Sequence, residues 1–143
     1  MDPFGYISSK IYTRLKPSKI SGVGVFALRD IPSSSSIFDT WQGETGVYAI
    51  KEEELKTLPR ELYHHIKSLF LYGPDFPSNT DTFIKLINNC HWVYTTPYYF
   101  VNSSQSGYNL DKDTLLTTRD IKAGEEILSN YRRYERLAPK DII

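Results

Sequence analysis

The sequence is poor in the residues that bind metals or form cross-links. It contains one cysteine, Cys90, and three histidines, of which His64 and His65 are adjacent while His91 lies elsewhere. A single cysteine excludes an intramolecular disulfide, and the set is too small for a four-cysteine or cysteine/histidine zinc cluster. We therefore expect no metal site. We also expect His64 and His65 to lie on or near the exposed side of a helix.

Long apolar segments and an excess of one charge are also absent. No apolar run reaches the roughly 18 residues of a membrane span, and the opening "MDPFGYISSK" lacks the apolar core of a signal peptide. Seventeen basic residues balance seventeen acidic ones, whereas a dedicated nucleic-acid-binding protein usually has a basic excess. These absences predict a soluble intracellular protein, nuclear or cytoplasmic, that binds neither membranes nor nucleic acids directly.

What is present is an aromatic-rich chain of ordinary globular composition. Its 143 residues suit one domain spanning 1–143, which can bury a core without disulfides. Eleven tyrosines and seven phenylalanines are many for this length, and such residues favour strands and bury large apolar surfaces. The composition indicates a β-rich body, an aromatic channel, or both.

The periodicity of the apolar residues changes twice along the chain. Short segments bounded by turn residues predict strands at "KIYTRLK", "GVFALRD" and "SIFDTWQ". Apolar residues at spacings of three and four then predict a helical insert over about residues 51–73, which Pro59 divides into two helices. From about residue 83, "HWVYTT", "PYYFV", "TLLTTRDI" and "EEILSNY" are again typical of strands. The pattern predicts a mainly β protein with one helical insert.

Gly22 and Gly24 stand one residue apart just before an apolar run. A dinucleotide-binding turn would need a third glycine and a following helix, but "VFAL" follows Gly24 and favours a strand. The P-loop pattern is absent from the sequence as well. Taken alone, the glycine pair predicts a tight turn between strands that leaves its backbone exposed.

Four short motifs nevertheless occur in a particular order. They are "GVGVFA" from residue 22, "WQGE" from residue 41, "YFVNSS" from residue 99 with Asn109 after it, and "GEEILSNY" ending at residue 131. In this order and spacing they resemble the motifs of the SET domain family of protein-lysine methyltransferases, over about residues 10–137. The resemblance implies a mainly β SET fold of several small sheets, in which the C-terminal segment 127–131 crosses residues 102–105 as a pseudoknot.

The functional positions of the family transfer to this sequence residue by residue. The resemblance implies that Tyr131 stands at the methyl-transfer centre and that Trp41, in place of a tyrosine, lines the channel for the substrate lysine. It also implies S-adenosylmethionine as the cofactor. The residues that would contact this cofactor are Ser21, Gly22, Val23, Gly24, Tyr99, Asn102, Ser103 and Tyr131.

The third motif departs most from the family pattern. Ser103 replaces the histidine that follows the asparagine, and Tyr99 replaces the arginine that often precedes the phenylalanine. A rival alignment would place this motif at "LINNCHW", with the asparagines at 88–89. Asn102 is preferred because its distance from the fourth motif leaves room for one hairpin, as in compact family members.

The resemblance implies an enzyme, an S-adenosylmethionine-dependent protein-lysine N-methyltransferase. Its partner would be a protein or peptide that carries the lysine, with histones as one class of substrate. An alternative stays open because of the altered third motif: a SET-fold protein that has lost catalysis and binds a protein partner. Cofactor binding separates the two, because only the enzyme requires it.

Overall fold

The computed structural model describes residues 1–69, 81–91 and 97–130, with the side chains of Leu69 and Tyr99 excepted. The helices of this part of the chain are α1 (Pro3–Lys10), α2 (Glu52–Leu55) and α3 (Arg60–Leu69), with a 3₁₀ helix at Pro97–Phe100. Its strands are β1 (Thr13–Pro17), β2 (Val23–Ala27), β3 (Gly46–Lys51), β4 (Asp81–Leu86), β5 (Asn102–Ser103) and β6 (Glu126–Ser129). Short strands in two small sheets dominate, which confirms the mainly β SET fold that the sequence predicts.

The larger sheet has the strand order β1-β2-β6-β5. β1 and β2 form an antiparallel hairpin with Thr13 opposite Ala27. β6 runs antiparallel to β2, with Ile127 opposite Val25, and parallel to β5. β5 and β6 belong to the two segments that were expected to cross, and these two strands pair side by side. β6, the later of the two in the sequence, occupies an interior position in the sheet.

The smaller sheet pairs β3 with β4 in antiparallel register, and the helical segment follows β3. α2 begins directly after β3, and α3 begins directly after Pro59, which suits the first turn of a helix because it needs no donor there. Both helices lie within the predicted insert 51–73, whose last residues fall outside the described ones.

One face of α3 is buried, and this corrects the expectation for one histidine. Leu62, His65 and Ile66 are spaced by three and four residues and are buried, with His65 only 8% exposed, whereas His64 is exposed. Residues at these spacings share one helix face. The expectation that both histidines lie near the exposed side is therefore wrong for His65.

The buried residues form two apolar clusters. The first joins α1, the helical segment and the smaller sheet, and the second fills one side of the larger sheet. The first cluster consists of Tyr6, Ile7, Ile11, Leu28, Trp41, Ile50, Leu55, Leu58, Leu62, Ile66, Ile84 and Leu86. The second consists of Val25, Ala27, Ile31, Ile37, Val101, Leu110, Ile121 and Ile127.

Helix α1 was not predicted from the sequence. Its start is nevertheless well specified, because the Asp2 side chain accepts a hydrogen bond from the Gly5 amide at 2.6 Å and Pro3 occupies the first turn. Tyr6 and Ile7 are buried. α1 therefore contributes to the first apolar cluster from outside the region that the four motifs cover.

Three predicted strands are wrong in this structure. Residues 36–42 form no strand and make one isolated bridge, between Ser36 and Leu116. Residues 97–100 form the 3₁₀ helix, because a proline cannot donate to a strand ladder but suits a helical start. Residues 114–121 make isolated bridges only, and Leu115 interrupts the extended run with a φ of 59°.

Within the described residues, every helix is too short or too polar to span a lipid bilayer.

Candidate functional site

The first motif forms the turn between β1 and β2. Gly22 has a φ of 45°, a left-handed conformation in which glycine is favoured, and a side chain there would meet nothing within 4 Å. The turn is closed by a hydrogen bond from the Ser18 amide to the Gly22 carbonyl at 2.8 Å. Ser21, Gly22 and Val23 are exposed, so the turn presents bare backbone as the sequence indicated.

Asn102, from the third motif, meets this turn. Its Nδ2 donates to the carbonyl of Ser21 at 3.1 Å and reaches the carbonyl of Val23 at 3.4 Å. Strand β5 holds Asn102 and Ser103 in place, because they pair with Leu128 and Ser129 of β6. The structure thus brings together Ser21, Val23, Asn102 and Ser103, which are four of the predicted cofactor residues.

Glu126, on β6, completes this group and was missed in the sequence. Its two carboxylate oxygens both lie 2.9 Å from the Ser18 hydroxyl, and its Oε2 accepts a hydrogen bond from Asn102 Nδ2 at 3.0 Å. A carboxylate can only accept, so this contact fixes the amide nitrogen of Asn102 towards Glu126 and the turn. Oδ1 of Asn102 accepts no hydrogen bond among the described residues.

Glu126 also occupies the space beside Gly24. A methyl group on Gly24 would overlap Oε2 of Glu126 and come within 3.0 Å of the Ser18 side chain. The pairing of β2 with β6 sets Glu126 opposite Phe26, two residues from Gly24. Knowledge of this strand pairing would therefore have placed the Glu126 carboxylate near Gly24.

Asn109 holds the backbone of β6 through hydrogen bonds separate from those of the Glu126 carboxylate. Its side chain is fully buried, its Oδ1 accepts from the Leu128 amide at 2.8 Å, and its Nδ2 donates to the Glu126 carbonyl at 2.9 Å. The Asn109 amide in turn donates to the Leu128 carbonyl at 2.9 Å. The second asparagine of the third motif thus holds the backbone of the strand that carries Glu126.

Trp41, predicted to line the lysine channel, is part of the first apolar cluster and only 3% exposed. Its ring packs edge-on against Tyr6 of α1 and Tyr48 of β3, with centroids 5.4 and 5.7 Å away. Its Nε1 donates to the Glu44 carbonyl at 2.9 Å. The indole therefore has a clear packing role, and Trp41 also borders a surface cleft of about 470 Å³.

The walls of this cleft are tied together by polar contacts. Asp39 accepts a hydrogen bond from the Ser36 hydroxyl at 2.7 Å and pairs with the Lys10 ammonium at 3.1 Å. Partial burial raises the pKa of Asp39, but these two partners outweigh it and hold the pKa below its ordinary value. The Tyr6 hydroxyl donates to the Asp39 carbonyl at 2.9 Å. These contacts fasten α1 to the segment that contains Trp41.

Two buried histidines lie apart from the glycine turn. Burial lowers the pKa of His91 to about 4, and the nearby charge of Asp39 opposes this shift in part. Burial, assisted by the charge of Arg14, lowers the pKa of His65 to about 4 as well. Both rings are therefore neutral at pH 7. Neither ring nitrogen of His91 has a hydrogen-bond partner within the described part of the chain.

The remaining predicted residues are placed only in part. Tyr99 lies in the 3₁₀ helix, but its side chain is outside the described atoms, and Tyr131 lies outside the described residues altogether. The side chain of the rival asparagine, Asn88, instead donates to the Gly43 carbonyl at 2.8 Å, and its backbone amide donates to the Thr45 hydroxyl at 3.0 Å. The carbonyls of the glycine turn are thus met by Asn102.

Comparison with known proteins places these features in a family. No curated protein matches the sequence significantly. Among solved structures, a candidate histone methyltransferase from Plasmodium falciparum is 20% identical, with 86% of this chain and 95% of that chain covered and a TM-score of 0.36. The SET domain, a family of methyltransferases that in general use S-adenosylmethionine, matches residues 22–132, most of the chain. The chain therefore belongs to the SET domain family.

Proposed function

We propose that this protein is an S-adenosylmethionine-dependent protein-lysine N-methyltransferase. One observation carries the proposal most directly: the amide of Asn102, from one motif, bonds the backbone of the glycine turn, which belongs to another. Membership of the SET domain family supports methyl transfer as the reaction class. Lysine as the acceptor, S-adenosylmethionine as the cofactor and the roles of individual residues are supported by the chemical properties of the groups at the site.

The residues around the turn suit such a cofactor. S-adenosylmethionine carries an ammonium and a sulfonium, and cationic groups pair with carbonyl, amide and carboxylate oxygens. The turn offers exposed backbone at Ser21 and Val23, Asn102 offers Oδ1, and Glu126 offers a negative charge. Gly22 leaves open space where a side chain would otherwise project. When bound, the cofactor would supply a methyl group on its sulfonium.

The acceptor side must provide a neutral amine. Free lysine titrates near about 10.4, so removing its proton at neutral pH costs roughly 4 kcal/mol. A desolvated aromatic channel would lower this pKa, and a tyrosine hydroxyl could orient the amine so that alignment supplies most of the rate. We assign the hydroxyl role to Tyr131 and the channel-wall role to Trp41, which borders the cleft beside α1.

Calorimetric titration with S-adenosylmethionine tests the cofactor assignment. We expect the wild-type protein to bind it, and Asn102→Ala to bind at least about tenfold more weakly, because hydrogen bonds to a charged ligand and to the turn are lost together. Asn88→Ala is the matched control, since the side chain of this asparagine donates to the Gly43 carbonyl instead. Absence of binding by the wild type at millimolar cofactor would favour the partner-binding alternative.

Methyl transfer is tested with labelled cofactor and basic proteins, histones among them. We expect label on lysine side chains, located by mass spectrometry. Tyr131→Phe should lose most of the activity or change the number of methyl groups added, because the hydroxyl that orients the amine is removed. An unaffected Tyr131→Phe variant would contradict the role of this residue while leaving the reaction class intact.

A further inference from the structure

The carboxylate of Glu126 has no cationic partner in the part of the chain that the structure describes. Its hydrogen bonds come from a hydroxyl, Ser18, and an amide, Asn102, both of which are neutral. The ion pairs among the described residues involve other carboxylates. Lys16, on β1, instead places its ammonium 4.5 Å from the centre of the Phe26 ring. A negative charge is therefore fixed beside the glycine turn with no paired cation among the residues that the structure describes.

The position of this charge is tightly determined. The carboxylate fills the space that a side chain at Gly24 would need, and its contact with Asn102 fixes the orientation of that amide. Asn102 in turn bonds the carbonyls of Ser21 and Val23. The charge thus belongs to the wall of the site where we place the cofactor, and a ligand on this turn lies within its field.

The cofactor and its product differ in the charge that such a carboxylate would sense. S-adenosylmethionine carries an ammonium, a carboxylate and a sulfonium, for a net charge of plus one. Loss of the methyl group leaves S-adenosylhomocysteine with a neutral thioether and a net charge of zero. A fixed negative charge in the same site would interact favourably with the first and would have no net charge to attract in the second.

We propose that Glu126 makes this site prefer S-adenosylmethionine over S-adenosylhomocysteine by charge, so that the spent cofactor leaves readily. The inference rests on the proposed function, since it concerns the same cofactor site. It assigns Glu126 a specificity role that is separate from its hydrogen bond to Asn102. Glutamine at this position keeps the shape and an acceptor for the amide while removing the charge.

The experiment measures three dissociation constants by calorimetry for the wild type, Glu126→Gln and Glu53→Gln. The ligands are S-adenosylmethionine, S-adenosylhomocysteine and sinefungin, which has a protonated amine in place of the methylated sulfonium. Glu53 is an exposed carboxylate on α2, so its variant matches the charge change away from the turn. Thermal unfolding of each variant establishes that it is folded.

We expect Glu126→Gln to weaken both cationic ligands by about three- to tenfold, the scale of one partly exposed charge pair, and to leave the neutral product within about twofold. Glu53→Gln should change none of them. In the wild type, raising the salt concentration should reduce the preference for the cationic ligands, because salt screens exposed charges. The salt series tests the same charge effect without any substitution.

The outcomes separate this inference from the proposed function. If Glu126→Gln weakens all three ligands equally, or weakens none, the charge role is overturned while cofactor binding by the wild type still stands. If the wild type prefers the neutral product at every salt concentration, the charge role is likewise overturned. If the wild type binds none of the three ligands, the proposed function fails and this inference fails with it.

Discussion

Asn109 is the residue whose replacement should most disturb the strand that carries the site. Its buried amide makes two hydrogen bonds to the backbone of β6, at Leu128 and Glu126. Alanine removes both and leaves the Leu128 amide and the Glu126 carbonyl without these partners. Losing a partner for a buried polar group costs about 1–3 kcal/mol, so the loss of two should lower the free energy of unfolding of Asn109→Ala by about 2–6 kcal/mol.

Urea unfolding followed by circular dichroism measures this change. Asn88→Ala is a suitable reference, because Asn88 also donates a side-chain hydrogen bond to a backbone carbonyl but is exposed. We expect less than about 1 kcal/mol for this variant, since water replaces the lost bond. If Asn109→Ala were no more destabilising than Asn88→Ala, the idea that Asn109 secures β6 would be refuted.

Asn109→Asp refines the same test without a change of volume. The aspartate keeps an oxygen for the Leu128 amide, but it sets a second oxygen against the carbonyl of Glu126. We expect strong destabilisation at neutral pH and partial recovery as the buried carboxyl is protonated and becomes a donor. A flat pH dependence of the difference from wild type would show that this carbonyl contact contributes little.

Four further outcomes are expected. The pKa values of His65 and His91 are held at about 4 in the native protein, whereas the unfolded value is 6.5, so below pH 6.5 the unfolded chain binds protons that the native protein excludes. Stability should therefore be full above pH 6.5 and fall between pH 6.5 and 4, by up to about 3 kcal/mol per histidine. Urea unfolding at several pH values would record this loss. Gly22→Ala should cost about 1–2 kcal/mol of stability through its left-handed φ. Gly24→Ala should displace Glu126, so we expect its larger effect on the free energy of cofactor binding, measured by calorimetry, and its smaller effect on the stability that the melting temperature records. Trp41→Ala should cost about 3–5 kcal/mol in denaturant unfolding, because a buried aromatic ring leaves a cavity, and a loss below about 1 kcal/mol would contradict its packing role.

The parts of the fold that the sequence revealed are those with strong local requirements. The turn at Gly22 needs a left-handed residue, the hairpin strands beside it are rich in apolar residues, and Pro59 sets the start of α3. These signals act over a few residues, so a single sequence carries them. The order of the four motifs then allowed Asn102 to be assigned to the same cofactor site as the turn through the family resemblance, although nothing local in the third motif indicates their direct contact.

The parts that the sequence did not reveal depend on pairings between distant segments. Glu126 joins the candidate site only because β6 lies between β2 and β5, which brings its carboxylate to Ser18 and Asn102. The burial of Trp41 depends on α1, whose capping aspartate and following proline were present in the sequence but were not interpreted as a helix start. In both cases the sequence gives the residue type but does not indicate which distant residues it contacts in the fold.

The interior position of β6 has a consequence for how the protein folds. As the chain emerges from the ribosome, β1 and β2 can form their hairpin early, but the free edge of β2 has to wait until residues 126–129 are made. Until then that edge can pair with other chains, which is a route to aggregation. Closing so long a loop is also slow. We therefore expect chaperone dependence and a slow refolding phase to be linked to the docking of this last strand.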